Sequence, residues 1–408
     1  MKLLLITQYF PPEVGAPQNR LSELALRLIE EGVEITVLTA MPNYPQMEIH
    51  EEYIGKKHCK EKFGGCTIYR TAIYVSKSKS ITTRLRNYFS FVWSSYKYGI
   101  RKLNGDFDAV FCESPPLFLG ISAFLIARKK KAKFIFNVSD LWPESAEKLG
   151  IVKNKLFLKL ATILEEFLYK KAALITGQTK GITANISSRF PNKKVYWLPN
   201  GVDVSFYNPA NFTKDWREQN NFGKDDLLFF YGGIIGYAQG LEIIIHTAKE
   251  LQGNSKIKFI LLGSGPEKEK LITLTENLKL ANLFFFDAVP KAKMPHIISS
   301  IDCSIIPLKK LDLFLGAIPS KVFECLSMKT PILLGVDGEA KGIFIDEANS
   351  GLYFEPENVQ ELKNGVLKLA ENNELRKKLG KNGRTYVNNH FNRNQIAKEL
   401  KSCLQDLF

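Results

Sequence analysis

The stretch Tyr231-Gly232-Gly233-Ile234-Ile235-Gly236-Tyr237-Ala238-Gln239-Gly240-Leu241-Glu242 follows the apolar, aromatic-rich run Leu227–Tyr231 and leads into a helical pattern. A strand that passes through a glycine-bearing turn into a helix is the opening of a βαβ unit. The next strand-like run, Lys258–Leu262, ends the same way, in Leu262-Gly263-Ser264-Gly265-Pro266-Glu267. Runs at Leu283–Phe286, Cys303–Pro307, Thr330–Leu334 and Leu352–Phe354 follow, separated by longer helical stretches. Short apolar runs alternating with helices predict a parallel sheet covered on both faces.

The same alternation fills the first half, with strands expected at Lys2–Gln8, Glu34–Thr39, Thr67–Ala72, Ala109–Cys112, Lys133–Asn137, Ala173–Gly177 and Val195–Leu198. Amphipathic helices are expected at Arg20–Glu31 and Ala161–Lys171, where apolar residues recur at helical spacing. The 408 residues suggest two or three domains at roughly 150 each. Pro199-Asn200-Gly201-Val202-Asp203 punctuates the chain between the two series. The expectation is therefore two doubly wound α/β domains of similar size, residues 1–200 and 201–385, facing a cleft that suits a ligand. Residues 386–408 read as a C-terminal helix that either caps the second domain or crosses back to the first.

Loops at the carboxyl ends of strands are where open sheets bind ligands. Three of them carry glycine and lead toward helices: the one holding Gly15 and Asn19, in Tyr9-Phe10-Pro11-Pro12-Glu13-Val14-Gly15-Ala16-Pro17-Gln18-Asn19-Arg20, the one holding Gly233 and Gln239, and the one holding Gly263 and Gly265. Such junctions offer free backbone N–H groups and a positive helix end to a phosphate. None is a G-x-G-x-x-G or a P-loop, so the argument rests on the three together, and it favours phosphate or nucleotide binding.

In order along the chain, Asp140-Leu141-Trp142-Pro143-Glu144-Ser145, the Gly-Gly-x-x-Gly-x-Ala-Gln-Gly-Leu loop, Leu262-Gly263-Ser264-Gly265-Pro266-Glu267 and Ile318-Pro319-Ser320-Lys321-Val322-Phe323-Glu324 resemble family-4 glycosyltransferases of the GT-B fold. The branch most resembled includes bacterial N-acetyl-L-fucosamine transferases of surface-polysaccharide assembly, the O-antigens and capsules. The resemblance covers essentially the whole chain. It implies two Rossmann-like domains and a retaining transfer of an N-acetylated or deoxy amino sugar from a nucleotide diphosphate donor, with UDP favoured. It further implies no required metal or other cofactor, and a polyprenyl-diphosphate-linked or other glycan as acceptor.

Carried over by residue, the resemblance makes Glu324 the carboxylate that accepts from the two donor ribose hydroxyls, a task suited to a group with several lone pairs. The partner glutamate eight residues earlier falls at Gly316, a departure for which main-chain N–H groups of Gly316 to Ile318 would substitute. The cation the family places before Gly240 is Gln239 here. Lys321, next to Ser320 and ahead of Glu324, is then the remaining candidate to neutralise the leaving diphosphate, because that charge must be compensated in the transition state. On the acceptor side Asp140 is the candidate to orient or deprotonate the acceptor hydroxyl, with Glu144 as runner-up. Asp140 also fits a helix N-cap.

The formal charge is +14, from 56 Lys and Arg against 42 Asp and Glu. Residues 1–200 hold 30 basic and 17 acidic side chains, and residues 201–408 hold 26 and 25. Residues 81–102 combine Arg84, Arg86, Lys97, Arg101 and Lys102 with Trp93 and five other aromatic residues. That combination describes either a helix lying in the headgroup region of an anionic membrane or an aromatic stripe packed on the core. No helix-turn-helix, zinc-finger or RNP-like pattern accompanies the charge, so nucleic acid is excluded as the anionic partner. The expected place is cytoplasmic, peripheral on the inner face of the membrane.

Other classes are set aside. Six cysteines without a C-x-x-C pair argue against a disulfide framework or zinc knuckle. Asp106-Phe107-Asp108 looks like a metal-binding D-x-D but immediately precedes a strand, and the five histidines show no ligand spacing. The longest apolar stretch, Leu117 to Ala127, has about eleven residues where roughly twenty span a bilayer. Two rival readings share the architecture: a nucleotide-sugar 2-epimerase, and a non-catalytic protein binding nucleotide sugar or lipid.

Overall fold

In β1 (Lys2–Ile6), Leu3 and Leu5 enter one apolar core while Leu4 and Ile6 enter another. Successive side chains of a strand point to opposite faces, so an uninterrupted apolar run demands cover on both. The computed structural model describes every residue except Val14, Lys79, Leu149 and Ile151, and of Ala16 and Ile81 it describes the backbone. Around β1 assemble β2 (Glu34–Ala40), β3 (His58–Phe63), β4 (Cys66–Thr71), β5 (Ala109–Ser114), β6 (Lys133–Val138), β7 (Leu174–Gly177) and β8 (Val195–Trp197). The order is β3-β4-β2-β1-β5-β6-β7-β8, and every pairing is parallel except β3 with β4.

The face bearing Leu3, Leu5, Val37 and Phe111 is covered by Leu21, Ala25 and Leu28 of the helix Ala16–Glu30, together with Ile396, Leu400 and Leu404 of the helix Arg393–Gln405. The opposite face, with Ile6, Val110 and Phe136, is covered by the helices Ile81–Arg101, Leu119–Lys130 and Lys155–Lys171 through Phe91, Ala123 and Leu168. The sequence reading omitted β3. Its residues alternate between exposed and half-buried and include Lys60, Glu61 and Lys62, as suits an edge strand. Gly64 and Gly65 turn the chain back. The buried Arg70 of β4 then pairs with Glu61 and donates to the Ala40 and Pro11 carbonyls.

In the second series β9 (Leu227–Gly232), β10 (Ile257–Leu262), β11 (Leu283–Phe286), β12 (Cys303–Pro307), β13 (Ile332–Gly335) and β14 (Gly351–Tyr353) form an all-parallel sheet in the order β11-β10-β9-β12-β13-β14. This is a Rossmann-type order, in which the chain builds outward on one side of β9 and then returns to the other. The ligand position such a sheet defines lies at the strand carboxyl ends beside that switch.

The chain divides into a unit of Met1–Asn200 with Arg393–Phe408 and a unit of Gly201–Asn392. The expected boundary at 386 lies inside the helix Asn373–His390, whose Val387 is buried. The final helix belongs to the first unit because its apolar stripe closes the Leu3 and Leu5 face. Arg393 also pairs with Glu23 there, and Arg27 Nε donates to Asn394 Oδ1 at 2.7 Å. With that helix counted, the first unit holds 33 basic and 19 acidic side chains and the second holds 23 of each. No helix among the described residues is long and apolar enough to cross a membrane.

Candidate functional site

In the second unit the loops after β9 and β10 are bonded backbone to backbone. The Gly233 N–H donates to the Leu262 carbonyl at 2.9 Å, and the Ile235 N–H to the Ser264 carbonyl at 2.9 Å. Gly263 and Gly265 adopt φ of 154° and 156°, and a Cβ on them would lie 1.8 Å from the Gly233 oxygen and 2.2 Å from the Ile235 oxygen. Only glycine permits that approach. The glycine spacing that marks the sequence is thus a requirement of two loops lying against one another at the sheet's carboxyl edge.

Lys321 opens the short helix Lys321–Ser327 and reaches into this edge. Its ammonium lies 3.8 Å from the Tyr231 ring centroid and 3.0 Å from where a Gly233 Cβ would stand. Burial pushes it down from the ordinary lysine value to about 8, with weak opposition from Cys325 and Glu324. Among the described residues no carboxylate forms an ion pair with it. A desolvated ammonium without a counter-charge is unfavourable, and an anion relieves it.

Glu324 sits one turn further along the same helix. Burial raises its pKa, while Lys291, Tyr207 and Lys321 act in the opposite sense. The Tyr207 hydroxyl is buried and close enough to Glu324 to be coupled to it electrostatically, but it makes no well-formed hydrogen bond. The Tyr207 hydroxyl and the Glu324 carboxylate thus stand side by side, two polar groups suited to bind hydroxyls.

The other sequence candidates of this unit lie around the same edge. Gln239 is in the 3-10 turn Tyr237–Gln239. Gly316 closes the 3-10 turn Asp312–Gly316 and is exposed, as is Ser320. The main-chain substitution expected at 316–318 is narrowed, because the Ala317 N–H is already given to the Phe314 carbonyl at 2.9 Å. Sequence reasoning missed Lys309. It follows β12, its N–H donates to the Ala238 carbonyl at 3.0 Å, and its ammonium lies 3.4 Å from the Tyr237 ring centroid. It brings a cation to the turn that ends at Gly240, where Gln239 supplies none.

In the first unit Asp140 follows β6. Its carboxylate accepts from Ser145 Oγ at 2.7 Å, and burial, ahead of these bonds, raises its pKa. The expected N-cap is not what forms, since the next helix begins only at Glu144 and the carboxylate is held by the Ser145 hydroxyl and by the Leu141 backbone. Glu144 forms a surface ion pair with Lys148 at 2.7 Å. Gly15 precedes the helix Ala16–Glu30 in extended backbone, its carbonyl accepting from the Asn19 N–H at 3.0 Å.

Beside Asp140 lies a cluster the sequence did not reveal. Glu113, buried at the end of β5, accepts from Arg20, Asn137 and Ser139 Oγ, the last at 2.5 Å. Arg20 also donates to Ser139 Oγ at 2.7 Å and to Gln178 Oε1 at 3.0 Å, and Thr176 Oγ1 donates to Asn137 Oδ1 at 2.6 Å. Side chains from β5, β6, β7 and the first helix are thereby locked at the residue before Asp140.

Of the residues considered for membrane contact, Arg84, Arg86, Trp93, Lys97 and Arg101 are exposed on the helix Ile81–Arg101, and Lys102 caps it. Phe91 and Asn87 of the same helix are buried. Asp108 accepts from the Lys2 N–H at 2.6 Å, which accounts for the acidic lead-in to β5. The six cysteines are free thiols. Among the described residues no three His, Cys, Asp or Glu side chains group as metal ligands.

Residues 18–206 match the family model described as Glycosyltransferase Family 4, and residues 212–386 the model described as Glycosyl transferases group 1. The chain is 25% identical over 374 residues to the putative colanic acid biosynthesis glycosyl transferase WcaI of Escherichia coli K12, covering 90% of this chain and 91% of the relative. It is 24% identical to an uncharacterized glycosyltransferase of Methanocaldococcus jannaschii, over 100% of this chain and 99% of that one. Among solved structures, sucrose-phosphate synthase of Thermosynechococcus elongatus superposes with a TM-score of 0.74 at 17% identity, covering 100% and 99% of the two chains. The Anabaena protein HepE, solved in complex with UDP, gives 0.70 at 14% identity and full coverage of both chains. With the family 4 model on its first unit, the group 1 model on its second and this fold over its full length, the chain belongs to the GT-B glycosyltransferases.

Proposed function

We propose that the chain is a retaining glycosyltransferase of bacterial surface-polysaccharide assembly, of the hexosyl or N-acetylhexosaminyl type. It moves an N-acetylated or deoxy amino sugar, as in the N-acetyl-L-fucosamine branch, from a UDP-linked donor to a polyprenyl-diphosphate-linked or other glycan acceptor. It works at the inner face of the cytoplasmic membrane and needs no metal. The observation that carries this reading is the half-buried Lys321 ammonium, without an ion-pair partner among the described residues, against the glycine loops. HepE, which binds UDP and UDP-glucose in its crystals, and WcaI, named for colanic acid biosynthesis, support the donor class and the pathway class.

The donor lies at the carboxyl edge of the second unit. Glu324 accepts from its ribose hydroxyls, and Lys321 and Lys309 meet its diphosphate beside the glycine loops, whose Gly233, Ile235 and Gly263 N–H groups are already given to the Leu262, Ser264 and Phe286 carbonyls. The acceptor hydroxyl attacks the anomeric carbon from the face the diphosphate leaves. One carbon–oxygen bond forms, the bond to the β-phosphate oxygen breaks, and the hydroxyl proton passes to Asp140, whose burial-raised pKa suits it to take one. Lys321, mostly protonated at pH 7, meets the charge that develops on the leaving oxygen.

The test is a thermal-shift panel of UDP-, GDP- and dTDP-sugars on the unmodified chain and on Glu324→Ala. A UDP-sugar is expected to raise the Tm of the unmodified chain, and the variant to lose most of that shift while keeping its own Tm. Absence of a shift with every nucleotide sugar overturns the reading. Conversion of a UDP-sugar to its epimer without acceptor identifies the 2-epimerase instead.

A further inference from the structure

Helix Lys155–Lys171 is apolar on two sides. Ala161 and Leu168 pack into the core of the first unit, and Leu158 packs with Ala146 and Val152. On the far side Leu156, Leu160, Ile163 and Phe167 are 67%, 58%, 55% and 40% exposed. Their spacing of four, three and four residues puts them in one stripe along the helix, about 17 Å long at 1.5 Å per residue. Trp93 and Phe89 of the helix Ile81–Arg101 are 65% and 44% exposed. Phe118 joins the two helices, its ring centroid lying 4.7 Å from that of Phe89 and 6.1 Å from that of Phe157. The four residues of Lys155–Lys171 form one exposed apolar stripe, which marks a docking surface where scattered single residues would need no explanation.

Its surroundings identify the occupant. Lys153, Lys155 and Lys159 stand exposed at one end of the stripe and Lys170 and Lys171 at the other, in the unit that carries the whole positive surplus of the chain. A second copy seated on this face would bring these lysines against their own counterparts. An anionic lipid surface would instead take the apolar stripe below its headgroups and the lysines among them.

We infer that the exposed apolar stripe of the helix Lys155–Lys171 is the face by which the chain enters an anionic membrane, with Trp93 and Phe89 of the helix Ile81–Arg101 as a second contact. This rests on the proposed action at a membrane and replaces the segment 81–102 as the principal contact. The aromatic richness that singled out that segment is largely spent on the core, where Phe91 is fully buried and Tyr88 and Tyr98 are half-buried. The stripe also lies parallel to the helix axis, so the helix rests in the surface plane without crossing it.

Co-sedimentation of the full chain with phosphatidylcholine vesicles, with and without phosphatidylglycerol, tests this. The double variant Leu160→Glu, Ile163→Glu should bind anionic vesicles at least about tenfold more weakly with its Tm unchanged, because both side chains are outside the core. Ile54→Glu, at an equally exposed apolar residue elsewhere in the unit, should bind as the unmodified chain does. Lys155→Gln with Lys159→Gln should weaken binding to anionic vesicles alone, with a loss that disappears at high salt. Undiminished binding by the Leu160, Ile163 variant overturns the inference and leaves the membrane reading standing. Failure of the unmodified chain to bind any vesicle overturns both. A dimer in sedimentation velocity that the same variant abolishes, without vesicle binding, makes a second copy the occupant.

Discussion

Replacing Lys321 by Met should make the ligand-free protein more stable and the enzyme much slower. In the fold the lysine pKa is about 8 where a solvated lysine has 10.5, and burial is the cause. That difference corresponds to about 3 kcal/mol of destabilisation by the charged form. Below pH 8 the side chain is protonated in both folded and unfolded chains, so the whole penalty is present. Between about pH 8 and 10.5 only the unfolded chain holds the proton, and stability rises with pH. Above 10.5 the penalty is gone. Methionine has a similar length and no charge to desolvate, but it forfeits the ammonium contact with Tyr231, worth roughly 1 kcal/mol. The net gain at pH 7 is then about 2 kcal/mol, shrinking toward zero or reversing by pH 10.5. Urea unfolding of the second unit, followed at pH 7, 9 and 10.5, measures it as the difference between variant and unmodified chain, which cancels the titration of other groups. The same change removes a positioned cation from the leaving diphosphate and should lower kcat by about 10²–10³-fold. A variant less stable at pH 7, or a stability gain that does not change with pH, refutes the desolvated lysine. Unchanged turnover refutes its role in the transfer.

Two further predictions test the frame around this group. Gly263→Ala places a methyl on the Gly233 carbonyl, so the two loops must separate; donor-induced thermal shift should vanish and the second unit should lose about 2 kcal/mol or more, read by urea unfolding. Glu113→Gln keeps the shape of the cluster but leaves Arg20 buried without its counter-charge. It should lower the first unit's Tm and reduce kcat with little change in donor KM, and an unaltered kcat would detach the cluster from the Asp140 loop.

The features legible in the sequence were those a backbone imposes locally. Apolar runs without polar alternation required cover on both faces, and β1 shows why, sending Leu3 and Leu5 to one core and Leu4 and Ile6 to the other. The glycines at 233, 263 and 265 stood out because no other residue fits where two strand ends touch. What escaped notice depended on partners far away in the chain. The polar strand His58–Phe63 is held by Arg70, Arg20 finds Glu113 only after the sheet has formed, and Lys309 reaches the Gly240 turn across the β9–β12 switch. The second apolar face of Lys155–Lys171 was hidden by the first, since a helix whose core residues keep perfect spacing gives no reason to ask about the rest.

Net charge misleads about the donor site for the same reason. The first unit holds the entire surplus of fourteen positive charges, whereas the second holds 23 basic and 23 acidic side chains. Yet two unit charges 4 Å apart interact by about 1 kcal/mol in water and about 4 kcal/mol near a protein surface of lower dielectric. One lysine stripped of water and left without a carboxylate therefore exerts more force on a diphosphate than several solvated ones. The neutral unit concentrates its attraction in Lys321, where it acts on one departing group. The basic unit spreads its charge over exposed lysines, each weak and screened by salt, an arrangement suited to a broad anionic surface and unable to hold a single phosphate in register.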